Sequence, residues 1–142
     1  TYGFIYEVFH KPSGLKYLGK KVLFFERNKR LGKRALEALR EERKANGIGG
    51  RTPLKQKIIT ESDWKDYYGS HPKIKQLVKD SDDLRRDFEK KILDLVPNKK
   101  LLTYYECKHL FINDVLESYS HQYINDNILG KFYRKDFNNE TN

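Results

Sequence analysis

At 142 residues the chain has room for one compact domain with a real core, since roughly two-thirds of the unfolded surface can be buried at this size. Ten Tyr, eight Phe and one Trp exclude the aromatic-poor composition of a disordered chain, and a single cysteine, Cys107, excludes a disulfide framework and a cysteine-held zinc. The net charge of +9 points to a polyanionic partner, nucleic acid before anionic membrane, and no apolar run approaches the ~20 residues of a membrane span.

Residues 3–9, Gly-Phe-Ile-Tyr-Glu-Val-Phe, are rich in β-formers and predict a first strand. His10 to Gly14 contains Pro12 and reads as a turn, and residues 15–19, Leu-Lys-Tyr-Leu-Gly, complete a hairpin. Residues 29–46 predict a helix with Leu31, Ala35, Ala38 and Leu39 on one face and Gly47 as its C-cap. Its other face carries Arg30, Lys33, Arg34, Arg40, Arg43 and Lys44. Gly47-Ile48-Gly49-Gly50 reads as a linker or a DNA-contacting loop, and residues 53–70 as irregular, with a turn of helix from Ser62 or Asp63.

Pro72–Lys79 predicts a short helix with Pro at its first position and Ile74, Leu77 and Val78 on one face. Asp87–Leu95 reads as a third strand anchored by Phe88 and Ile92. Tyr104–Leu116 predicts a helix whose buried side carries Tyr104, Cys107, Phe111 and Val115, leaving Glu106 off that side. An Asn-x-Asn-Ile-Leu-Gly turn then leads into a basic tail at 131–142. The expected fold is α/β: a small three-stranded antiparallel sheet flanked by helices. One domain spans 1–142, with a basic helix and loop inserted at about 22–52.

The charge is concentrated. From Lys20 to Thr60 there are 13 Lys/Arg against 4 Asp/Glu, which accounts for the whole net charge. Arg30, Lys33, Arg34, Arg40, Lys44, Arg51, Lys55 and Lys65 are candidate phosphate contacts, which makes DNA the expected partner. No Gly-x-Gly-x-x-Gly, P-loop, His-Glu-x-x-His or nucleophile-elbow motif is present, and the four histidines show no zinc-like spacing. No signal peptide is visible, so an intracellular location is expected.

What remains is a spaced constellation. Phe4-Ile5-Tyr6 is followed by Tyr17-Leu18-Gly19, with eleven residues from Tyr6 to Tyr17. Gly69-Ser70-His71 precedes Ile74, and Tyr105-Glu106 stands ten residues beyond the third strand. This ordered set resembles the GIY-YIG nuclease family, with Phe4 where the family has its first Gly. Gly19-Lys20-Lys21, Pro53-Leu54-Lys55, Glu61-Ser62-Asp63-Trp64-Lys65 and the Asn-x-Asn-Ile-x-Gly end resemble a subgroup seen in phage genomes. The resemblance covers about residues 3–134. It implies a metal-dependent DNA endonuclease in a bacterial or phage-host cytoplasm, with homing, host-DNA degradation and repair all open as its purpose. It implies Tyr6 as general base, Tyr17 orienting the water, His71 assisting at the phosphate and Glu106 as the single ligand of Mg²⁺ or Mn²⁺. The family's catalytic arginine follows the second strand; here Arg27, Arg30 and Arg34 compete for it, and Lys20 and Lys21 are alternative cations. Asn127 is a candidate contact near the phosphate.

The chemistry is consistent on its own terms. Phosphodiester hydrolysis needs an activated water and relief of charge on the pentavalent transition state. One carboxylate suffices to hold Mg²⁺, which keeps several waters and takes phosphate oxygens. A tyrosine, with an ordinary pKa of ~10, serves as a base only where nearby cations pull it down. The competing reading is a non-catalytic nucleic-acid-binding protein that uses residues 20–60.

Overall fold

A computed structural model describes residues 1–117 and 119–137. In chain order the elements are β1 (Gly3–His10), β2 (Leu15–Val22), β3 (Phe24–Arg30), α1 (Lys33–Ala45), β4 (Lys55–Glu61), α2 (Pro72–Asp80), α3 (Leu84–Asp87), β5 (Phe88–Val96), α4 (Lys99–Ile112), β6 (Asn127–Ile128), β7 (Phe132–Tyr133) and α5 (Arg134–Phe137). They form two compact units, one of residues 1–23 with 63–142 and the other Phe24–Ser62. Among the described residues no helix is long and apolar enough to cross a membrane.

The first unit is built on a three-stranded antiparallel sheet in the order β2-β1-β5. The α/β fold with this small sheet is the expected one. The central strand β1 is buried on both faces, which explains its nearly continuous apolar run. Phe4, Tyr6 and Val8 face a cluster completed by Ile74 of α2, Phe88 and Ile124, with Trp64, Tyr67 and Tyr17 packed around it. Ile5 faces the other way, onto Val96 and Leu102 of α4. A third cluster joins Leu18 of β2 to Leu110, Val115, Leu116, Tyr123 and Ile128. Helices therefore cover both faces, and β2 is an edge strand.

Several expected elements shift. α4 begins at Lys99, not Tyr104, because Asn98 caps it: the Asn98 Oδ1 accepts from the Leu101 N–H at 2.9 Å. Its inward stripe is Leu102, Glu106 and Leu110, spaced by four, while Tyr104 and Phe111 are exposed. The expected apolar face was anchored on the wrong aromatics, and Glu106 lies on the inward side of the helix. In β5 the anchors are Phe88 and Val96; Ile92 is half exposed. The pairing slips between Ile5–Asp94 and Tyr6–Ile92, leaving Leu93 as the extra residue of a bulge. The tail expected at 131–142 contains β7 and α5 up to Phe137; residues 138–142 lie outside the described residues.

The second unit is a two-stranded antiparallel ribbon, β3 paired with β4 from Phe24–Glu61 to Arg30–Lys55, followed in the chain by α1 after β3. The expected helix at 29–46 starts instead at Lys33, since Lys29 and Arg30 continue β3. The stretch 53–70, expected to be irregular, contains β4. Its Lys-Gln-Lys-Ile-Ile-Thr-Glu sequence holds strand-formers only at Ile58-Ile59-Thr60, without alternation, and none of its residues is buried. No apolar side chain of this unit is buried. Leu31, Ala35, Ala38 and Leu39 instead line an open groove of about 550 Å³ with Pro53 and Lys57.

Candidate active site

The tyrosine pair sits on the same face of neighbouring strands. Tyr6 lies opposite Gly19 across the β1–β2 ladder, and its ring is 6.4 Å from that of Tyr17. Gly19 is required there: a Cβ would lie 2.6 Å from the Tyr6 hydroxyl oxygen and 3.0 Å from the Tyr17 ring. Gly69, at φ +141°, gives Tyr17 its remaining space, since a Cβ would stand 2.8 Å from the ring. Tyr67 closes the far side of Tyr6 at 6.1 Å. It is held by Lys90 of β5, whose ammonium donates to the Trp64 and Tyr67 carbonyls at 2.7 Å each and lies 5.3 Å from the Tyr6 ring. Burial and the neighbouring Lys21 push the Lys90 ammonium below its ordinary value.

At the β2 edge a cleft of about 340 Å³ opens, lined by Tyr17, Leu18, Lys20, His71, Glu106, Leu110, Asn125, Asp126, Asn127, Leu129 and Gly130. Tyr17, Lys20, His71, Glu106 and Asn127 thus come together from four separate stretches of sequence. Tyr6 is fully buried directly behind Tyr17. Lys20 is the lysine that enters the cleft: its Nζ lies 3.7 Å from the Glu106 carboxylate and donates to Thr103 Oγ1 at 3.1 Å. Lys21 points to the other face of β2, pairing with Asp63 at 2.7 Å and lying 3.7 Å above the Tyr67 ring. Lys65 lies over Trp64. Arg27, Arg30, Lys33, Arg34, Arg40, Lys44, Arg51 and Lys55 all belong to the second unit and are exposed.

Two residues shape the cleft in ways the sequence did not mark. Asp126 pairs with His71 Nε2. Because His71 Nδ1 accepts from the Lys73 N–H at 3.0 Å and so caps α2, the neutral ring carries its proton on Nε2, aimed at Asp126. Asn125 does not shape a turn, as expected of it. Its Oδ1 accepts from the Leu18 N–H at 3.0 Å and its Nδ2 donates to the Leu18 carbonyl at 2.8 Å, so the carboxamide acts as one more rung on the β2 edge. Asn127 is the turn former, accepting from the Gly130 N–H at 3.0 Å, and Leu129 and Gly130 take the left-handed conformation this turn needs.

The electrostatics of the site are set mainly by burial. Burial, then Tyr17, Tyr67 and Glu106, push the Tyr6 hydroxyl far above its ordinary value. Burial also raises Tyr17, against a hydrogen bond from Ser70 that works in the opposite direction. Burial raises the Glu106 carboxyl, with Lys20 pulling it back. Glu106 therefore sits where an added cation would be welcome, and the tyrosines would ionise more readily beside one.

The family described as "Putative endonuclease segE, GIY-YIG domain" matches residues 1–128. That match makes this a nuclease domain, and the chain belongs to the GIY-YIG nuclease family, of the phage type. No curated protein and no solved structure matches the chain.

Proposed function

We propose that the chain is a divalent-metal-dependent DNA endonuclease whose reaction takes place in the cleft at the β2 edge. The observation that carries this is the convergence of Tyr17, Lys20, His71 and Glu106 on one cleft, with Tyr6 packed against Tyr17. Among the described residues no group of three or more His, Cys, Asp or Glu forms a metal cage. One inward-facing carboxylate, with Asp126 in the same cleft, is instead the donor set of a hard cation that keeps most of its waters. Glu106 would hold Mg²⁺ or Mn²⁺, which supplies Lewis-acid stabilisation of the phosphoryl oxygens and of the leaving 3′-oxygen.

The chain's own groups then have defined tasks. Lys20 donates to phosphoryl oxygens as charge accumulates on them, and His71, its Nε2–H held by Asp126, assists from the wall of the same cleft. The resemblance gives Tyr6, as its ionised phenolate, the proton of the attacking water, and gives Tyr17, which lines the cleft in front of buried Tyr6, the task of orienting that water. Both hydroxyls are poor bases as they stand, so the pair becomes competent only with positive charge loaded at Glu106. The second unit supplies affinity: residues 24–62 hold 11 Lys/Arg against 5 Asp/Glu, and Arg30, Lys33, Arg34, Arg40, Lys44, Arg51 and Lys55 engage phosphates without regard to sequence. A cation role for Arg27 belongs to this same unit.

Nicking of supercoiled plasmid in Mg²⁺ or Mn²⁺, with an RNA of equal length in parallel, tests the reading. Glu106→Ala and Tyr6→Phe should each lose on the order of a hundredfold or more in rate while DNA retention persists. Variants that both cut as fast as the parent would refute it.

A further inference from the structure

We propose that Arg134 is a positioning residue of the cleft: through backbone carbonyls it holds the loop that fixes β2 beside Tyr17 and presents Asp126 to His71. The proposal rests on the cleft being the nuclease site. Arg134 lies past residue 128, where the family match ends, and by sequence it reads only as one charge of a basic tail.

Its surroundings say otherwise. The guanidinium donates through Nη1 to the Ser120 carbonyl at 3.1 Å, and through Nη2 to the carbonyls of Val115 at 2.6 Å, Tyr123 at 2.9 Å and Asn125 at 2.7 Å. Its own N–H donates to the Asp126 carbonyl at 2.9 Å. The side chain thus ties together Val115, Ser120, Tyr123 and Asn125, and the backbone N–H of the same residue adds Asp126. From there the connection to the site is direct. Asn125 bonds both backbone groups of Leu18, the residue after Tyr17, and Asp126 pairs with His71. The Ile124 N–H donates to the Lys16 carbonyl at 2.8 Å, the residue before Tyr17. Tyr17 is therefore bracketed on both sides by a loop whose carbonyls converge on Arg134. The guanidinium spreads its donors over a rigid planar fork that spans four carbonyls, whereas an ammonium has three donors on one nitrogen.

The test uses the full chain and two variants, Arg134→Gln and Arg134→Lys, each checked for folding by circular dichroism. Amide exchange at Leu18 should accelerate in Arg134→Gln and less in Arg134→Lys, while amides of the β1–β5 ladder keep their protection. In nicking assays kcat should fall about tenfold to a hundredfold with KM for DNA little changed. Should Arg134→Gln not fold, Arg134→Lys reports on the same amide. A Leu18 amide as protected as in the parent, or β1–β5 amides that accelerate equally, overturns the positioning role. Exchange does not depend on cleavage, so a parent chain that cuts nothing refutes the nuclease reading and leaves this measurement standing.

Discussion

The two units of the chain solve opposite problems. All fifteen buried apolar side chains of the described residues lie in the first unit, which also carries the tyrosines, Glu106 and the cleft. The second has none buried, yet within 39 residues it holds more than a third of the 29 Lys/Arg of the chain. Chemistry at a phosphodiester needs groups held within fractions of an ångström, and close-packed side chains on both faces of a sheet provide that. Attraction to a phosphate backbone needs only charge at roughly the right height, so an exposed ribbon and helix suffice. Rigidity goes where geometry matters, and charge goes where it does not.

The sharpest way to break this contrast is Gly19→Ala. In the first unit the added methyl has no room beside the Tyr6 hydroxyl, 2.6 Å away. We expect a stability loss of about 2–3 kcal/mol by thermal denaturation and a nicking rate down by about a hundredfold. A near-neutral result would mean the tyrosine pair is not packed as described. A smaller effect is expected from Arg34→Ala with Arg40→Ala in the second unit. DNA affinity should weaken and the slope of log K against log salt should shrink by about 2, with the melting temperature unchanged. If that double variant melted like a core variant, the division of labour would fail.

The smallest effect concerns Glu106 without metal. Burial raises its carboxyl above the ordinary 4.5, so the folded state favours the protonated form. The stability this gives is fully present below the unfolded value and is lost as pH rises through the folded one. In a chelator, Glu106→Gln should therefore melt slightly higher than the parent near pH 7, with the difference vanishing below pH 4.5. A variant less stable at pH 7 would show that Lys20 more than offsets the burial.

Much of the first unit was legible because its signals are local. The β-former runs of β1, β2 and β5, the turn at Pro12 and the Pro72 start of α2 each follow from residues close in sequence. β3 and β4 were not, because nothing on their exposed faces alternates between polar and buried. The placement of Glu106 failed for a related reason: Tyr104 and Phe111 read as core, whereas the Pro97-Asn98 start and the Leu102–Leu110 stripe set the rotation of α4. In the site, Tyr6, Tyr17, His71 and Glu106 could be proposed only through the family resemblance that their ordered blocks carry. Asn125 and Asp126 could not, since their partners Leu18 and His71 are 107 and 55 residues away. The choice between Lys20 and Lys21 needed only strand alternation, once it was known which face met α4.

The Asn125 rung has a consequence for how the chain behaves in a crowded solution. β2 is a sheet edge, and a bare edge offers unpaired N–H and C=O groups to any other strand. Here Lys16 is bonded to Gln122 and Ile124, and Leu18 to a side chain that mimics a backbone but cannot be extended into a new strand. The device that steadies the strand of Tyr17 is thus also a stopper against edge-to-edge association. Truncating Asn125 would expose the protein to self-association as well as loosen its site.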